Sequence, residues 1–427
     1  MKNKNKIKVG KRVYLDHAAA TPMDPRVFEA MEPFWVKNFG NAGGLYEEGR
    51  IAKEAVQKSR EAIARLIFAK PEEIIFTSGG TEADNLAIFG TANFFKKGHI
   101  ITSKFEHHAV LNPCLELEKR GFDVTYLEVG SEGIVNPEDF KKALRADTVL
   151  VSIMYANNEI GTIQPIAEIG KIIQNYRLQS ANSRLIFHTD ACQAAAYLDM
   201  NVNELGVDLM TVNGGKIYGP KGAGFLYKKS GVKITPMIFG GGQEMRMRSG
   251  TESAPLIVGM AKAFEIAALE REKESARLCE LRDYFISELF QKITKIVLNG
   301  HDKKRLPNNV NVSILDIEGE ALILFMDAHG VSFSTGSACT SESLDPSHVI
   351  LALGKPYEFA HSSMRFTLGR STNKEDLDYV LSELPKTVAW LRRVSPLELD
   401  PNAASMSHPE AFAGENLRVK AKSKSYK

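Results

Sequence analysis

Lys216 lies in a turn built from glycine and proline, NGGKIYGPKG. Upstream, a short apolar run ends at Asp190, and Gln193 follows three residues later. An amine held on a tight turn can form a Schiff base with an aldehyde, and a carboxylate can keep a pyridine nitrogen protonated. Pyridoxal phosphate (PLP) needs both groups. A lysine in a glycine-rich turn is more often a solvated surface residue, so this stretch alone does not decide the matter.

A second segment, SGGTEADN, follows an apolar run and opens a helical pattern. Its glycines let the backbone approach an anion, the N–H groups of a helix N-terminus can bind it, and Thr81 adds a hydroxyl. An ordinary helix N-cap fits the same residues and is the commoner situation. With Lys216 downstream, phosphate binding by Gly80 and Thr81 is the better prediction.

Cys339 lies among small residues in SFSTGSACTSESLDP, which gives its thiol access, and a thiolate is a strong nucleophile. The other cysteines, Cys114, Cys192 and Cys279, lie in helical or core-like contexts and are predicted to be inert. The four cysteines form no CxxC pair and no metal-ligand spacing, so we expect neither a disulfide framework nor a metal site.

Arg365, in HSSMRFTLGR, has a planar guanidinium that matches an α-carboxylate in a bidentate contact. A salt bridge at the edge of a strand is the alternative.

Apolar strands alternate with helical stretches from Glu73 onward, which predicts an α/β fold with a mostly parallel sheet covered on both faces. Loops at the carboxyl ends of such strands share one edge, where ligands gather. A charged helical pattern from about 254 to 293 links this part to a smaller α+β unit. We therefore predict a leader (1–12), a large PLP-binding domain (13–260), a small C-terminal domain (261–398) and a disordered tail (399–427).

The composition is that of an ordinary globular protein. Of the 427 residues, 44% are hydrophobic and 25% charged, and the formal net charge is +2. A net charge this close to zero does not indicate a protein that binds nucleic acid, and no apolar run approaches the roughly 20 residues that span a bilayer. The basic N-terminus has no apolar signal region, so we expect a cytoplasmic protein.

Together these segments strongly resemble the cysteine desulfurases of the NifS/IscS type, PLP enzymes of the class V aminotransferase family, over about residues 13–398. The resemblance implies the PLP-dependent transferase fold type I. Its large domain has a mostly parallel seven-stranded sheet, and its small α+β domain carries the cysteine loop. The N-terminal segment can pack on the small domain.

The resemblance also implies roles for particular residues. His107, in the EHH segment, would stack on the cofactor ring and relay protons, although a lone histidine there is more often structural. The remaining cofactor residues would be Asn158 and Gln193 at the phenolic oxygen, Asp190 at the pyridine nitrogen, and Asn213 and Gly215 at the phosphate. Asn158 and Arg365 would also bind the substrate. Thr251, in GGGQEMRMRSGT, would reach the phosphate of a neighbouring subunit, which requires a homodimer; a flexible glycine loop is the alternative.

Two positions depart from the family pattern. Desulfurases usually read Ser-Gly-His-Lys at the lysine turn, whereas this chain reads Asn-Gly-Gly-Lys at 213–216, so Gly215 stands where a histidine is expected. Losing one hydrogen bond to phosphate costs roughly 1–3 kcal/mol, which would weaken cofactor affinity. Tyr46 stands where many desulfurases carry histidine.

The implied activity is conversion of L-cysteine to L-alanine, with the sulfur passing to Cys339 as a persulfide. The sulfur would then supply acceptor proteins such as an iron–sulfur scaffold or a tRNA-thiolation protein. Two alternatives stay open on the sequence. The chain can be a selenocysteine lyase or another class V aminotransferase-like enzyme, or a non-catalytic partner protein that kept the fold.

Overall fold

The computed structural model describes residues 11–180, 184–336, 346–395 and 399. The strands in these residues are β1 (Val13–Tyr14), β2 (Ile74–Thr77), β3 (His99–Ser103), β4 (Asp123–Leu127), β5 (Thr148–Ser152), β6 (Ile186–Asp190), β7 (Leu209–Asn213), β8 (Gly224–Lys228), β9 (Ile296–Leu298), β10 (Asn309–Ile314), β11 (Val331–Ser332) and β12 (Ser363–Thr367). The helices are α1 (Pro25–Met31), α2 (Pro33–Val36), α3 (Glu47–Leu66), α4 (Gly80–Phe95), α5 (His108–Lys119), α6 (Pro137–Ala143), α7 (Ile166–Gln179), α8 (Val202–Leu205), α9 (Ala254–Lys292), α10 (Gly319–Ala328), α11 (His348–Ala352), α12 (Tyr357–His361) and α13 (Lys374–Val394).

A seven-stranded sheet with the order β2-β8-β7-β6-β5-β3-β4 forms the centre of the larger part of the chain. The pairs from β7 to β4 are parallel, and β8 runs antiparallel to both of its neighbours. Successive strand residues such as Leu150 and Val151 are both fully buried and belong to two different apolar clusters, one on each face. The sheet is therefore covered on both sides, as its continuous apolar strands predict. This confirms the predicted fold class.

The carboxyl ends of six strands lie along one edge of this sheet. Strands β3, β4, β5, β6 and β7 are mutually parallel, and β2 points the same way as β7 because each is antiparallel to β8. Most of the predicted cofactor residues lie at the ends of β2, β3, β5, β6 and β7 or in the segments that follow them. The topology thus gathers groups that are far apart in sequence.

The smaller part contains an antiparallel sheet with the order β12-β10-β9 and a parallel pair of β1 with β11. Since β1 comes from the N-terminus, the first described residues pack on this part. The predicted boundary between residues 260 and 261 falls inside the long helix α9, which contacts α3 of the larger part and α13 of the smaller.

Two elements differ in extent from their sequence patterns. The apolar run 148–156 predicts one strand, but β5 ends at Ser152, and beyond it the Met154 N–H is bonded to the Glu106 carboxyl. The amphipathic pattern predicts a helix from near Ile51, whereas α3 begins at Glu47, with two glutamates in its first turn, where negative charge favours a helix. Among the described residues, no helix is long and apolar enough to cross a membrane.

Candidate active site

One cavity at the carboxyl edge of the central sheet collects most of the predicted site residues. Those that line it are Gly80, Thr81, His107, Asn158, Asp190, Gln193, Asn213, Lys216 and Arg365. The sequence predicted them from separate motifs, and the fold brings them together. The other lining residues are Ala18, Ala19, Asp84, Met154, Ala156 and Cys192.

The Lys216 amine is held at the wall of this cavity. Its Nζ donates to the carbonyl oxygens of Ala18 at 2.7 Å and Ala19 at 2.6 Å. The small side chains of this early segment let its backbone come close to the amine. Gln193 reaches the same segment, since its Nε2 donates to the Ala18 carbonyl at 3.0 Å. Small residues at 18–20 therefore build one side of the site.

Asp190 ends β6 and is 7% exposed. One carboxyl oxygen accepts a hydrogen bond from the Cys192 N–H at 2.9 Å. This bond fixes the carboxyl at the end of its strand, facing the cavity that Lys216 also lines. The arrangement suits a partner for a positively charged ring nitrogen.

The start of α4 forms an anion cradle. Gly79 adopts φ 147°, a conformation that glycine tolerates, and the helix begins at Gly80. A Cβ at Gly80 would lie 2.8 Å from the Cys192 Sγ and 3.5 Å from the Asn213 Nδ2. A larger residue at Gly80 would therefore collide with a buried thiol and fill the space beside the Asn213 amide. Helix N–H groups and an amide donor facing one open space suit a phosphate.

The Gly215 N–H is already used inside the lysine turn. It donates to the Asn213 Oδ1 at 3.0 Å, which leaves the Asn213 amide nitrogen on the side of Gly80. We predicted that Gly215 would offer its N–H to the phosphate; that donor is committed to the turn. The amide of Asn213 is the better phosphate donor of the two.

His107 is the N-cap of α5. Its Nδ1 accepts a hydrogen bond from the Ala109 N–H at 3.1 Å, so the proton of the neutral ring lies on Nε2. His107 is therefore oriented by the helix that follows it. The neighbouring ring of His108 is held neutral, since burial lowers its pKa to about 4.

Arg365 lies on β12 and is 1% exposed. Its Nη2 pairs with Asp16 Oδ1 at 2.8 Å, and its Nη1 donates to the Asn158 carbonyl at 3.1 Å. The salt bridge that sequence reasoning kept as an alternative is thus present, although Arg365 also lines the cavity. Within the described part of the chain, the Arg365 Nε and the Asn158 Oδ1 are buried without a hydrogen-bond partner. Both atoms are free to bind a ligand.

Sequence reasoning missed a buried polar cluster behind Asp190. Burial and the charge of Asp190 raise the pKa of Asp84 well above its usual value. Burial raises the pKa of Glu106 to about 8 and lowers that of His188 to about 4. A raised pKa favours the uncharged form of Asp84 and of Glu106, which leaves Asp190 as the carboxylate partner for a cationic ring. The positions of Asp84 in TEADN and of Glu106 beside His107 were the available signals.

Thr251 is exposed and is not among the residues that line the cavity. Its loop is anchored at two places to the segments around β2. Glu244 accepts from Arg60 at 2.7 Å and from the Phe76 N–H at 2.8 Å, and Arg248 pairs with Glu82 at 2.9 Å. The loop is therefore fixed next to the start of α4, while its threonine is exposed and lies outside the cavity that Lys216 lines.

Cys339, like the tail from residue 400, lies outside the described residues. Cys114 and Cys192 are buried, and burial raises the pKa of both thiols. Neither forms a thiolate readily at neutral pH. Cys279 is half-buried on α9.

The cavity fits PLP. It offers an amine at Lys216, a carboxyl at Asp190 and a cradle at Gly80 that a Cβ would fill. The unpartnered Asn158 Oδ1 and the amide of Gln193 add polar atoms for the ring substituents.

Replacing Gly215 with histidine should tighten cofactor binding about tenfold, which corresponds to one hydrogen bond to phosphate. A Cβ at Gly215 would meet the nearest atoms, on Asn213 and Lys221, at 3.5 Å and beyond, an ordinary contact distance. The dissociation constant for PLP, measured by fluorescence titration of the apoprotein, checks the expectation. Gly215→Ala is the control that adds the Cβ without the imidazole. Equal or weaker affinity in Gly215→His would mean that another group already makes this contact.

Comparison with known proteins agrees with this geometry. The family model of aminotransferase class-V matches residues 13–380. A cysteine desulfurase IscS from Dictyoglomus turgidum is 53% identical over 388 residues, which cover 90% of this chain and 97% of that protein. The solved structure of a NifS-like protein superimposes with a TM-score of 0.83 at 34% identity, covering 89% of this chain and 100% of that one.

A further solved structure, SspA in complex with cysteine, has a TM-score of 0.73 at 34% identity and covers 84% of this chain and 99% of that one. The match to the family model and to these relatives extends over nearly all of the described residues. The chain belongs to the class V aminotransferase family and, within it, to the PLP-dependent cysteine desulfurases of the NifS/IscS type.

Proposed function

We propose that this cysteine desulfurase acts on free L-cysteine, transfers the substrate sulfur to the Cys339 thiol and releases L-alanine. The observation that carries the proposal is the meeting of the Lys216 amine, the Asp190 carboxyl and the Arg365 guanidinium in one cavity. These are the groups that a PLP enzyme needs to bind its cofactor and the carboxylate of an amino acid.

The cofactor supplies an electron sink for the α-carbon of the bound amino acid. Lys216 would attach it covalently, and Asp190 would stabilise the positive charge on its ring nitrogen. Gly80, Thr81 and Asn213 would bind the phosphate. Gln193 and Asn158 would bind the ring oxygen.

Two residues move protons in this proposal. The Lys216 amine would take the proton from the α-carbon of the bound amino acid and return it there before alanine leaves. His107 has its Nδ1 committed to the Ala109 N–H, so the proton it exchanges is on Nε2. General acid–base groups of this kind contribute roughly 10²–10⁴-fold to a rate.

Arg365 binds the substrate carboxylate through its free Nε together with an Nη group. Its pairing with Asp16 keeps the buried guanidinium neutralised before substrate arrives. Asn158 assists, because its backbone carbonyl orients Arg365 while its side-chain Oδ1 can accept a hydrogen bond from a donor group of the ligand.

The sulfur step balances without an added oxidant or reductant. The Cys339 thiolate attacks the substrate sulfur, and an S–S bond forms as the C–S bond breaks. The electron pair of the C–S bond stays with the carbon, which takes up a proton and becomes the methyl group of alanine. The products are alanine and a persulfide on Cys339.

A homodimer belongs to the proposal, because Thr251 can serve as a phosphate ligand only in a second copy of the chain. Large apolar side chains that are exposed in the described chain support it. Phe39, Leu45, Tyr46, Phe239 and Met245 lie in or beside the loops around residues 40–46 and 240–252, which line one surface cavity.

The sulfur would pass from Cys339 to an acceptor protein such as an iron–sulfur scaffold or a tRNA-thiolation protein. We propose a cytoplasmic location, because a reactive Cys339 thiol needs a compartment that keeps it reduced. We also propose that residues 13–260 form the large domain and residues 261–398 the small one.

Product analysis tests the function. With L-cysteine and a thiol reductant, the protein should form alanine and sulfide in equal amounts. Cysteine consumed without alanine would contradict the proposal. The same assay with L-selenocysteine checks the lyase alternative, which would require a strong preference for selenocysteine over cysteine.

A further inference from the structure

The two ends of the segment that carries Cys339 converge on one carboxyl group, that of Glu159. Residues 337–345 lie outside the described part of the chain, between Gly336 and Pro346. The Ser347 Oγ donates to the Glu159 Oε2 at 2.5 Å. A Cβ at Gly336, whose φ is +150°, would lie 3.0 Å from the same Oε2. Glu159 therefore bonds the chain just after the segment and lies close to the chain just before it.

Glu159 is itself held firmly between the two parts of the fold. Its N–H donates to the Asn157 Oδ1 at 2.8 Å on the side of the large sheet. Its carbonyl accepts from Asn309 Nδ2 at 2.9 Å and Asn311 Nδ2 at 3.1 Å, both on β10. The residue is 1% exposed. A carboxyl group on such a fixed backbone is a rigid hydrogen-bond acceptor.

The Ser347 hydroxyl makes two hydrogen bonds, one as a donor and one as an acceptor. A hydroxyl has one hydrogen to donate and lone pairs to accept. The Ser347 Oγ accepts from the Ile350 N–H at 3.3 Å as the N-cap of α11, and its hydrogen goes to Glu159. The start of α11 is therefore fixed in both position and direction.

His348 joins the start of α11 to the other wall of the cavity. Its Nε2 donates to the Glu106 carbonyl at 2.9 Å, and its ring packs against His108 with centroids 4.6 Å apart. These partners flank His107, which lines the cavity. The chain that resumes after the Cys339 segment is thus attached to two active-site turns, 106–108 and 157–159.

We propose that Glu159 is a positioning residue for sulfur transfer, holding the chain that follows Cys339 at Ser347 and lying against the chain that precedes it at Gly336. The inference rests on the proposed role of Cys339 as the sulfur acceptor. Fixing the ends of a segment lowers the entropy that its nucleophile loses on reaching the substrate. Glu159 follows Asn158, the residue bonded to Arg365, so one turn links the substrate carboxylate site to this attachment.

The test is made on the full-length, PLP-loaded protein and measures two stages separately: the reaction of L-cysteine with the cofactor, and the transfer of sulfur to Cys339. After rapid mixing with L-cysteine, the change in cofactor absorbance and the gain of sulfur on the Cys339 peptide are followed separately. In Glu159→Ala, the absorbance rate should stay within about twofold and the persulfide rate should fall about tenfold, the loss expected for one hydrogen bond. Glu159→Gln keeps an oxygen acceptor for Ser347 and should recover most of the rate.

Ser347→Ala removes the same bond from the other side, so the double variant Glu159→Ala/Ser347→Ala should be no slower than the slower single variant. A second readout needs no turnover: the rate at which iodoacetamide alkylates Cys339, relative to Cys279 in the same protein. Glu159→Ala should change this ratio and Glu159→Gln should not. Thermal unfolding of each variant checks that the fold persists.

Two results would overturn the positioning role: equal loss of both rates in Glu159→Ala, or an unchanged persulfide rate together with an unchanged alkylation ratio. Absence of sulfur on Cys339 in the unsubstituted protein would instead overturn the proposed function. The alkylation ratio would still report on the attachment in that case, so the two failures are distinguishable.

Discussion

Lys216→Ala should purify without covalently attached cofactor and should lose alanine formation by roughly 10²–10⁴-fold or more. The reason is that the amine has two tasks, attachment of PLP and proton transfer at the α-carbon, and alanine can perform neither. Borohydride reduction followed by peptide mass spectrometry measures the attachment. The unsubstituted protein should carry the reduced cofactor on the peptide that contains Lys216.

Lys221→Ala is the matched control, since Lys221 lies in the same turn but donates its Nζ to the Thr21 carbonyl at 2.8 Å and does not line the cavity. This variant should keep the attached cofactor. Reduced cofactor on a different lysine in Lys216→Ala would remove Lys216 from the site.

Cys339→Ser should retain the cysteine-induced change in cofactor absorbance and lose alanine formation at least about a hundredfold, or about 2.7 kcal/mol of barrier. Binding of the amino acid and proton removal use the cofactor, Lys216 and Asp190, which the substitution leaves in place. Breaking the C–S bond by sulfur transfer needs a soft nucleophile, and a serine hydroxyl ionises far less readily than a thiol. Stopped-flow absorbance and alanine quantification measure the two stages.

Cys279→Ser is the comparison, because this half-buried thiol lies on α9 and is not among the residues that line the cavity. It should leave both stages unchanged. Alanine formation that continues in Cys339→Ser, or that stops in Cys279→Ser, would show that the nucleophile has been assigned to the wrong cysteine.

The sheet and several residues that line the cavity are predictable from the sequence because their signals are local. Asp190 ends an apolar strand, Gln193 follows it, and Lys216 lies on a turn whose glycines and proline are visible in the sequence. Parallel strands then bring such segments to one edge, whatever the details of packing.

Pairings between distant segments were not predictable in this way. Asp16 bonds Arg365 across 349 positions, and no periodicity links the two motifs. The raised pKa values of Asp84 and Glu106 were missed for a different reason. Their pKa values rise because they are buried, and burial depends on how α4 and the segment after β3 pack on the sheet.

The lysine turn lies between these cases. The sequence shows directly that position 215 is a glycine where the family usually has a histidine. It does not show that the Gly215 N–H is bonded to the Asn213 Oδ1. A hydrogen bond between a side chain and the backbone two residues later depends on the side-chain rotamer of Asn213. It makes the Asn213 amide nitrogen, and not the Gly215 N–H, the group available to the phosphate.

The most direct test of the account is the location of the transferred sulfur. The purified, PLP-loaded protein is exposed briefly to L-cysteine, treated with an alkylating agent and digested, and its cysteine peptides are weighed by mass spectrometry. We predict that the peptide containing Cys339 gains the mass of one sulfur atom, with alanine formed in equal amount. Sulfur on Cys114, Cys192 or Cys279 instead, or alanine formed with no sulfur on Cys339, would contradict the account.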